Sequence, residues 1–105
     1  MLGMYIKEFI AICTHLESES YPVKNDFIRI RREALDALLN KNKYETAQNK
    51  LKIWKALNWI STDERGLTKK IYDGETKKYY PHVLISVTVY QTLRDLTGGT
   101  KHITS

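Results

Sequence analysis

Cysteine, proline and glycine are scarce in this chain of 105 residues, with one, two and five copies respectively. The lone Cys13 cannot close an internal disulfide. Set among Ile6, Phe9, Ile10 and Leu16, it reads as a small buried apolar side chain, and a reducing, cytoplasmic setting is expected. Long apolar runs are missing as well: Lys7, Glu8, His15 and Glu17 interrupt the N-terminal stretch, so neither a secretory signal nor a membrane-spanning helix is expected. His15, His82 and His102 lie far apart, without paired metal-ligand spacing. No phosphate-binding glycine loop occurs, since Gly98-Gly99 lacks a following helix. The acids Asp63, Glu64, Asp73 and Glu75 fall in turns where solvation accounts for them, and a metal-dependent nuclease would need the fold to gather them. The expectation is a non-enzymatic protein without cofactor or metal.

What the chain does have is positive charge in one place. The formal net charge is +5. Residues 1–23 carry −2, residues 24–55 carry +5 and residues 56–105 carry +2. A basic middle third points to a polyanion partner rather than to a uniformly basic surface. The same third contains the most informative stretch, from Tyr44 to Asn58. Tyr44, Ala47, Leu51, Trp54 and Leu57 recur at steps of three and four and so fall on one helical side. Glu45, Gln48, Asn49 and Lys52 fall on the other. Gln and Asn can bond bidentately to adenine in a major groove, and Lys can reach guanine or phosphate. The alternative is an ordinary solvated helix face, which carries the same residue types.

The order of elements predicts an α+β fold. Ile6, Phe9, Cys13 and Leu16 mark a first helix over about Met4–Leu16, and Phe27–Ile30 is a short β-rich run. Ala34, Leu35, Leu38 and Leu39 mark a second helix over about Arg31–Leu39. Asn40–Lys43 is the turn before the third helix, whose Trp54, with Trp59 just beyond, is assigned to the core. Beyond Gly66 the period changes to that of strands. Leu67–Tyr72 and Lys77–Tyr80 flank Asp73-Gly-Glu-Thr76, and Asp-Gly is a common hairpin dipeptide. The second arm continues through Val83–Val87, with Pro81 confined to an edge or bulge. Val89, Leu93 and Leu96 give a short closing helix, so one domain spans 1–96 and a flexible tail 97–105.

Helix, short strand, helix, turn, helix, basic hairpin and short helix, with the exit Leu51-Lys-Ile-Trp-Lys-Ala-Leu-Asn-Trp-Ile60, resembles the winged helix-turn-helix family over about Met4–Leu96. More loosely, the chain looks like small winged-helix proteins of Gram-positive plasmids and phages, including relaxosome accessory proteins that bind the transfer origin. The resemblance implies that the third helix is the recognition helix, that the second crosses behind it, and that the hairpin is a wing able to touch backbone or minor groove. It also implies that Lys41 and Lys43, in the turn, contact DNA backbone. Double-stranded DNA is the expected partner, bound by a homodimer or by several copies on repeated sites, because one such module makes a limited interface. Helix one, with Met4 and Tyr5, could supply the contact between copies. The alternatives are a transcriptional regulator and a protein-docking module of a replication or transfer complex.

The expected DNA-binding residues form four groups. Arg31 and Arg32, beside Arg29, stand where a helix start can meet a phosphate, or they pair with Asp36 and Glu33. Lys41 and Lys43 occupy the turn. Gln48, Asn49, Lys52 and Lys55 belong to the third helix. Lys69, Lys70, Lys77 and Lys78 bracket the hairpin turn, where they suit a phosphate-lined groove or protect a sheet edge from aggregation. The interleaved Tyr72, Tyr79 and Tyr80 are expected to be packing residues.

Overall fold

A computed structural model describes the backbone of residues 2–104 and the side chains of residues 2–97. The elements run α1 (Leu2–Ser18), β1 (Val23–Lys24), β2 (Phe27–Arg31), α2 (Arg32–Leu39), α3 (Ala47–Ala56), β3 (Ile60–Ser61), β4 (Lys69–Asp73), β5 (Lys78–Ser86) and α4 (Val87–Thr104). The fold is α+β, with four helices and an antiparallel sheet among the described residues.

The strands alternate faces, and the register shows which face meets the helices. Ile28 and Ile30 of β2 stand opposite Ile85 and Val83 of β5, and Ile60 of β3 is also opposite Ile85. All five are buried and join Phe9, Ile12, Cys13 and Leu16 of α1, Leu35 and Leu39 of α2, and Leu51 and Trp54 of α3 in one core. β5 is the centre of the sheet: β1 and β2 lie on one side, while β3 and β4 share the other, one after the other along its length. Pro81 sits just past the end of β2, whose Arg31 pairs with His82, so β5 has no strand neighbour on that side and the missing N–H is tolerated. The last helix lies against α1, with Tyr90 Oη 3.0 Å from Thr14 Oγ1.

Helix ends follow local chemistry. Ser20 and Asn58 have φ of 56° and 60°. Beyond α1, the Tyr21 N–H reaches the Leu16 carbonyl at 3.1 Å and the Ser20 N–H that of Glu17. Beyond α3, the Trp59 N–H reaches the Trp54 carbonyl at 2.8 Å and the Asn58 N–H that of Lys55. Both are Schellman motifs, which satisfy carbonyls that the end of a helix leaves open.

Five features differ from the sequence-based expectation. The third helix starts at Ala47, because Thr46 caps it by accepting from the Asn49 N–H at 3.1 Å, so Tyr44 lies in the preceding turn. Leu57 caps the other end and is exposed instead of facing inward. A second hairpin, β1–β2, turns at Asn25-Asp26, both with positive φ (53° and 69°), as a two-residue type I′ turn requires. The four-residue connection of the other hairpin is shifted by one residue, from 73–76 to 74–77; in it Lys77 takes the left-handed conformation and its N–H bonds to the Asp73 carbonyl at 2.8 Å. The described backbone also carries α4 to Thr104, past the expected boundary at Leu96. The flexibility expected of the tail falls mostly on residues whose side chains lie outside the description.

Candidate nucleic-acid interface

Helix α3 divides cleanly into two faces. Leu51, Trp54 and Lys50 are buried, whereas Gln48, Asn49, Lys52, Ile53 and Ala56 are exposed. With 3.6 residues per turn, those five share one stripe. Beside it, the loop between β3 and β4 brings up Arg65, which with Gln48, Lys52 and Leu67 lines a shallow concavity of about 560 Å3. Arg65 and Ile53 were not singled out in the sequence; Arg65 sits in a turn with no periodic signal, and only the return of the loop against α3 sets it there.

Asn49 and Lys55 of this helix have additional partners. Asn49 donates its side-chain amide to Glu45 Oε1 at 3.1 Å, and the same oxygen accepts from the Thr46 N–H at 2.8 Å. Those two hydrogen bonds, the backbone one first, hold the Glu45 carboxyl below its ordinary value. Because the folded value is the lowered one, the clasp stabilises above the ordinary carboxylate range and its contribution is lost as pH falls through the folded value. Thr46→Ala should cost about 1 kcal/mol by removing the cap, measured as a lowered urea midpoint. Lys55 was expected to face DNA. Its Nζ instead reaches the carbonyls of Asp63, Glu64 and Gly66 at 3.0, 2.8 and 2.6 Å, so all three protons are committed to holding the β3–β4 loop.

The turn before α3 is held from within by a buried network absent from the sequence reading. Lys50, fully buried, pairs with Glu8 Oε2 of α1 at 3.0 Å and also donates to the carbonyls of Leu39 (2.6 Å) and Asn42. Glu8 accepts in addition from Tyr44 Oη at 2.6 Å and Asn42 Nδ2 at 3.1 Å. Burial, and then the bond to Glu8, push the Tyr44 hydroxyl above its ordinary value and keep it a donor. A lysine at a helical position between Asn49 and Leu51 carries the same letter as a solvated one, and only packing reveals the difference. Lys41 and Lys43 stay exposed on the outside of this turn.

The arginines before α2 are engaged. Arg32 pairs with Asp36 at 2.9 Å. Arg31 lies 3.7 Å from Glu33 and 3.5 Å from Asp73, with its guanidinium 4.0 Å from the Tyr80 ring centroid. It therefore ties the start of α2 to the β4–β5 hairpin. Arg29 projects onto the sheet face away from the core, as its pairing with Leu84 requires.

All four hairpin lysines are exposed, and none forms an ion pair among the described residues. Register separates them. Lys70, opposite Pro81, and Tyr72, opposite Tyr79, share the face on which the helices lie. Lys69, opposite His82, and Lys78, opposite Asp73, are on the reverse face, and Lys77 is in the turn. Tyr72 and Tyr79, expected to pack, are 52% and 66% exposed and stand edge to face at 5.1 Å. Tyr80, under Arg31, is the half-buried one.

Among the described residues, no helix is long and apolar enough to cross a membrane, and no three His, Cys, Asp or Glu side chains gather as a metal site. Cys13 is buried, and burial, reinforced by Glu17, raises its thiol above the ordinary value. No protein-family model matches the sequence, and no curated protein matches it.

Proposed function

We propose that this chain is a winged helix-turn-helix protein that binds double-stranded DNA without chemistry of its own, α3 entering the major groove and the β4–β5 hairpin serving as its wing. The observation that carries the reading is a pair of exposures: one stripe of α3 is free of packing, and the β4–β5 hairpin holds lysines with no carboxylate partner among the described residues. Gln48 and Asn49 supply amides for adenine, Asn49 by exchanging its bond to Glu45 for one to the base. Lys52 and Arg65 reach guanine or phosphate, and Ile53 meets thymine methyls. Lys41, Lys43, Lys70 and Lys77 neutralise phosphates, which position the protein without reading sequence. Arg31 and Arg32 support these elements through their ion pairs.

Binding by a homodimer or by several copies on repeated sites fits a module of this size. A small accessory protein of a plasmid or other mobile element, acting at a transfer or replication origin, fits the resemblance in element order; a transcriptional regulator would use the same contacts.

The test starts with selection of bound sequences from random duplex DNA, followed by titration of the selected site at several salt concentrations. Each phosphate contact adds about 0.9 to the slope of log K against log salt, so the Lys70→Ala, Lys77→Ala double variant should lower that slope by roughly 2. Gln48→Ala should instead remove about 1 to 3 kcal/mol of discrimination against changed base pairs, with the slope kept. Wild-type protein that binds no duplex at low salt would sink the proposal, and unchanged slopes would free the hairpin from phosphate contact.

A further inference from the structure

The sheet has a second face, turned away from the helices, and it is neither covered nor uniformly polar. Phe27 and Arg29 of β2, Leu84 of β5, Ser61 of β3, and Lys69 and Ile71 of β4 lie on it. With Lys24 and Asn25 from the β1–β2 hairpin they line a groove of about 320 Å3. Phe27, Ile71 and Leu84 form a half-buried apolar floor. Three cations, Lys24, Arg29 and Lys69, rim it, and none forms an ion pair among the described residues. Of the acids beside these strands, Asp26 accepts from the Thr88 hydroxyl and Asp73 faces Arg31.

We infer that this groove docks a short acidic peptide segment of a partner protein, its carboxylates meeting Lys24, Arg29 and Lys69 and an apolar side chain between them resting on Phe27, Ile71 and Leu84. Charge complementarity selects the sign of the occupant, and the apolar floor selects its kind. A phosphate backbone makes no use of Ile71 and Leu84, which gain only by covering another apolar group. At about 320 Å3 the groove holds a few side chains. Its place on the sheet face opposite α3 leaves both surfaces open at once, so a protein bound here would be carried to whatever α3 engages. The inference uses residues separate from α3 and stands whether or not the chain binds DNA.

Fluorescein-labelled synthetic peptides alternating Glu with Leu and Phe are titrated into the full-length, 15N-labelled chain. Controls replace Glu by Gln, or Leu and Phe by Ser, and an oligothymidylate strand supplies a nucleic-acid arm. The acidic, apolar peptide should saturate and shift the amides of Lys24, Phe27, Arg29, Ile71 and Leu84. Its affinity should fall about tenfold in the Lys24→Ala, Arg29→Ala double variant, as expected for two exposed charge contacts. The two-dimensional spectrum of that variant reports its fold directly, and Ile71→Thr, which keeps all the charges, should weaken the peptide as well. Equal binding of the Ser-substituted peptide would reduce the surface to simple attraction for polyanions and overturn the inference. So would shifts confined to α3 and the hairpin tip, tighter groove binding by oligothymidylate, or no binding at all.

Discussion

Lys50→Met should destabilise the protein by roughly 3 to 5 kcal/mol, the range for removing one member of a buried ion pair. The substitution keeps an unbranched side chain one atom shorter and removes its charge, leaving Glu8 buried without its cation. It also strips the Leu39 and Asn42 carbonyls of their donor. Those carbonyls belong to the end of α2 and the turn after it, so the loss falls on the joint that sets α3 against α2. Urea denaturation followed by tryptophan fluorescence and by circular dichroism measures it. The double variant Glu8→Leu, Lys50→Met should recover part of the loss, because no lone charge remains inside. It should not recover all, since Tyr44 Oη, Asn42 Nδ2 and both carbonyls stay unpaired, each costing about 1 to 3 kcal/mol if water cannot reach it. A Lys50→Met protein as stable as wild type would mean that the buried pair does not hold the turn.

Trp54→Ala should cost about 3 to 5 kcal/mol by emptying the centre of the core. Trp54 is fully buried, edge-on to Phe9 at 4.9 Å and 6.5 Å from Trp59. It links α3 to α1 and to the start of β3. Its indole Nε1 is also buried without a hydrogen-bond partner among the described residues. Trp54→Phe should therefore lose much less than Trp54→Ala: it gives up ring volume but deletes an unpaired donor, whose burial costs about 1 to 3 kcal/mol. Thermal melts of both variants, with Trp59 as the remaining fluorophore, separate the two contributions. A Trp54→Phe protein as unstable as Trp54→Ala would show that the lost volume dominates and that the orphan N–H costs nothing.

The helices were legible because their apolar residues repeat every three or four positions, and Phe9, Leu16, Leu35, Leu39, Leu51 and Trp54 occupy the core that this period implies. The β4–β5 hairpin was legible from the change of period near Gly66. Its four-residue connection, expected at residues 73–76, lies at 74–77, because Asp73 still pairs with Lys78. The β1–β2 hairpin escaped notice because a two-residue strand has no period to detect. On the candidate interface, Gln48, Asn49 and Lys52 could be placed outward from spacing alone. Lys50 and Lys55 could not, since spacing gives the direction of a side chain and not the partner at its end.

Composition and order by themselves therefore determined the α+β class, the sequence of the main elements, most of the inward face of α1, α2 and α3, and the concentration of positive charge in the middle third; in α4 the buried residue is Tyr90, while Leu96, expected inward, is exposed. Those properties follow from local periods and from counting, and neither requires distant residues to meet. The tertiary structure decided which charges remain available. Glu8 and Lys50 are separated by about forty residues and become one buried pair, Arg31 is drawn to Asp73 and Tyr80, and Lys55 closes a loop. Lys24, Arg29 and Lys69 lie on three different strands and come to rim one groove only because β2 and β4 flank the same β5 and present the same face. A lysine or arginine letter specifies a charge and a reach. Whether that charge ends in a carboxylate, a carbonyl or open solvent depends on which distant segment the fold brings within a few ångströms of it, because both Coulomb attraction and hydrogen bonding decay over that distance.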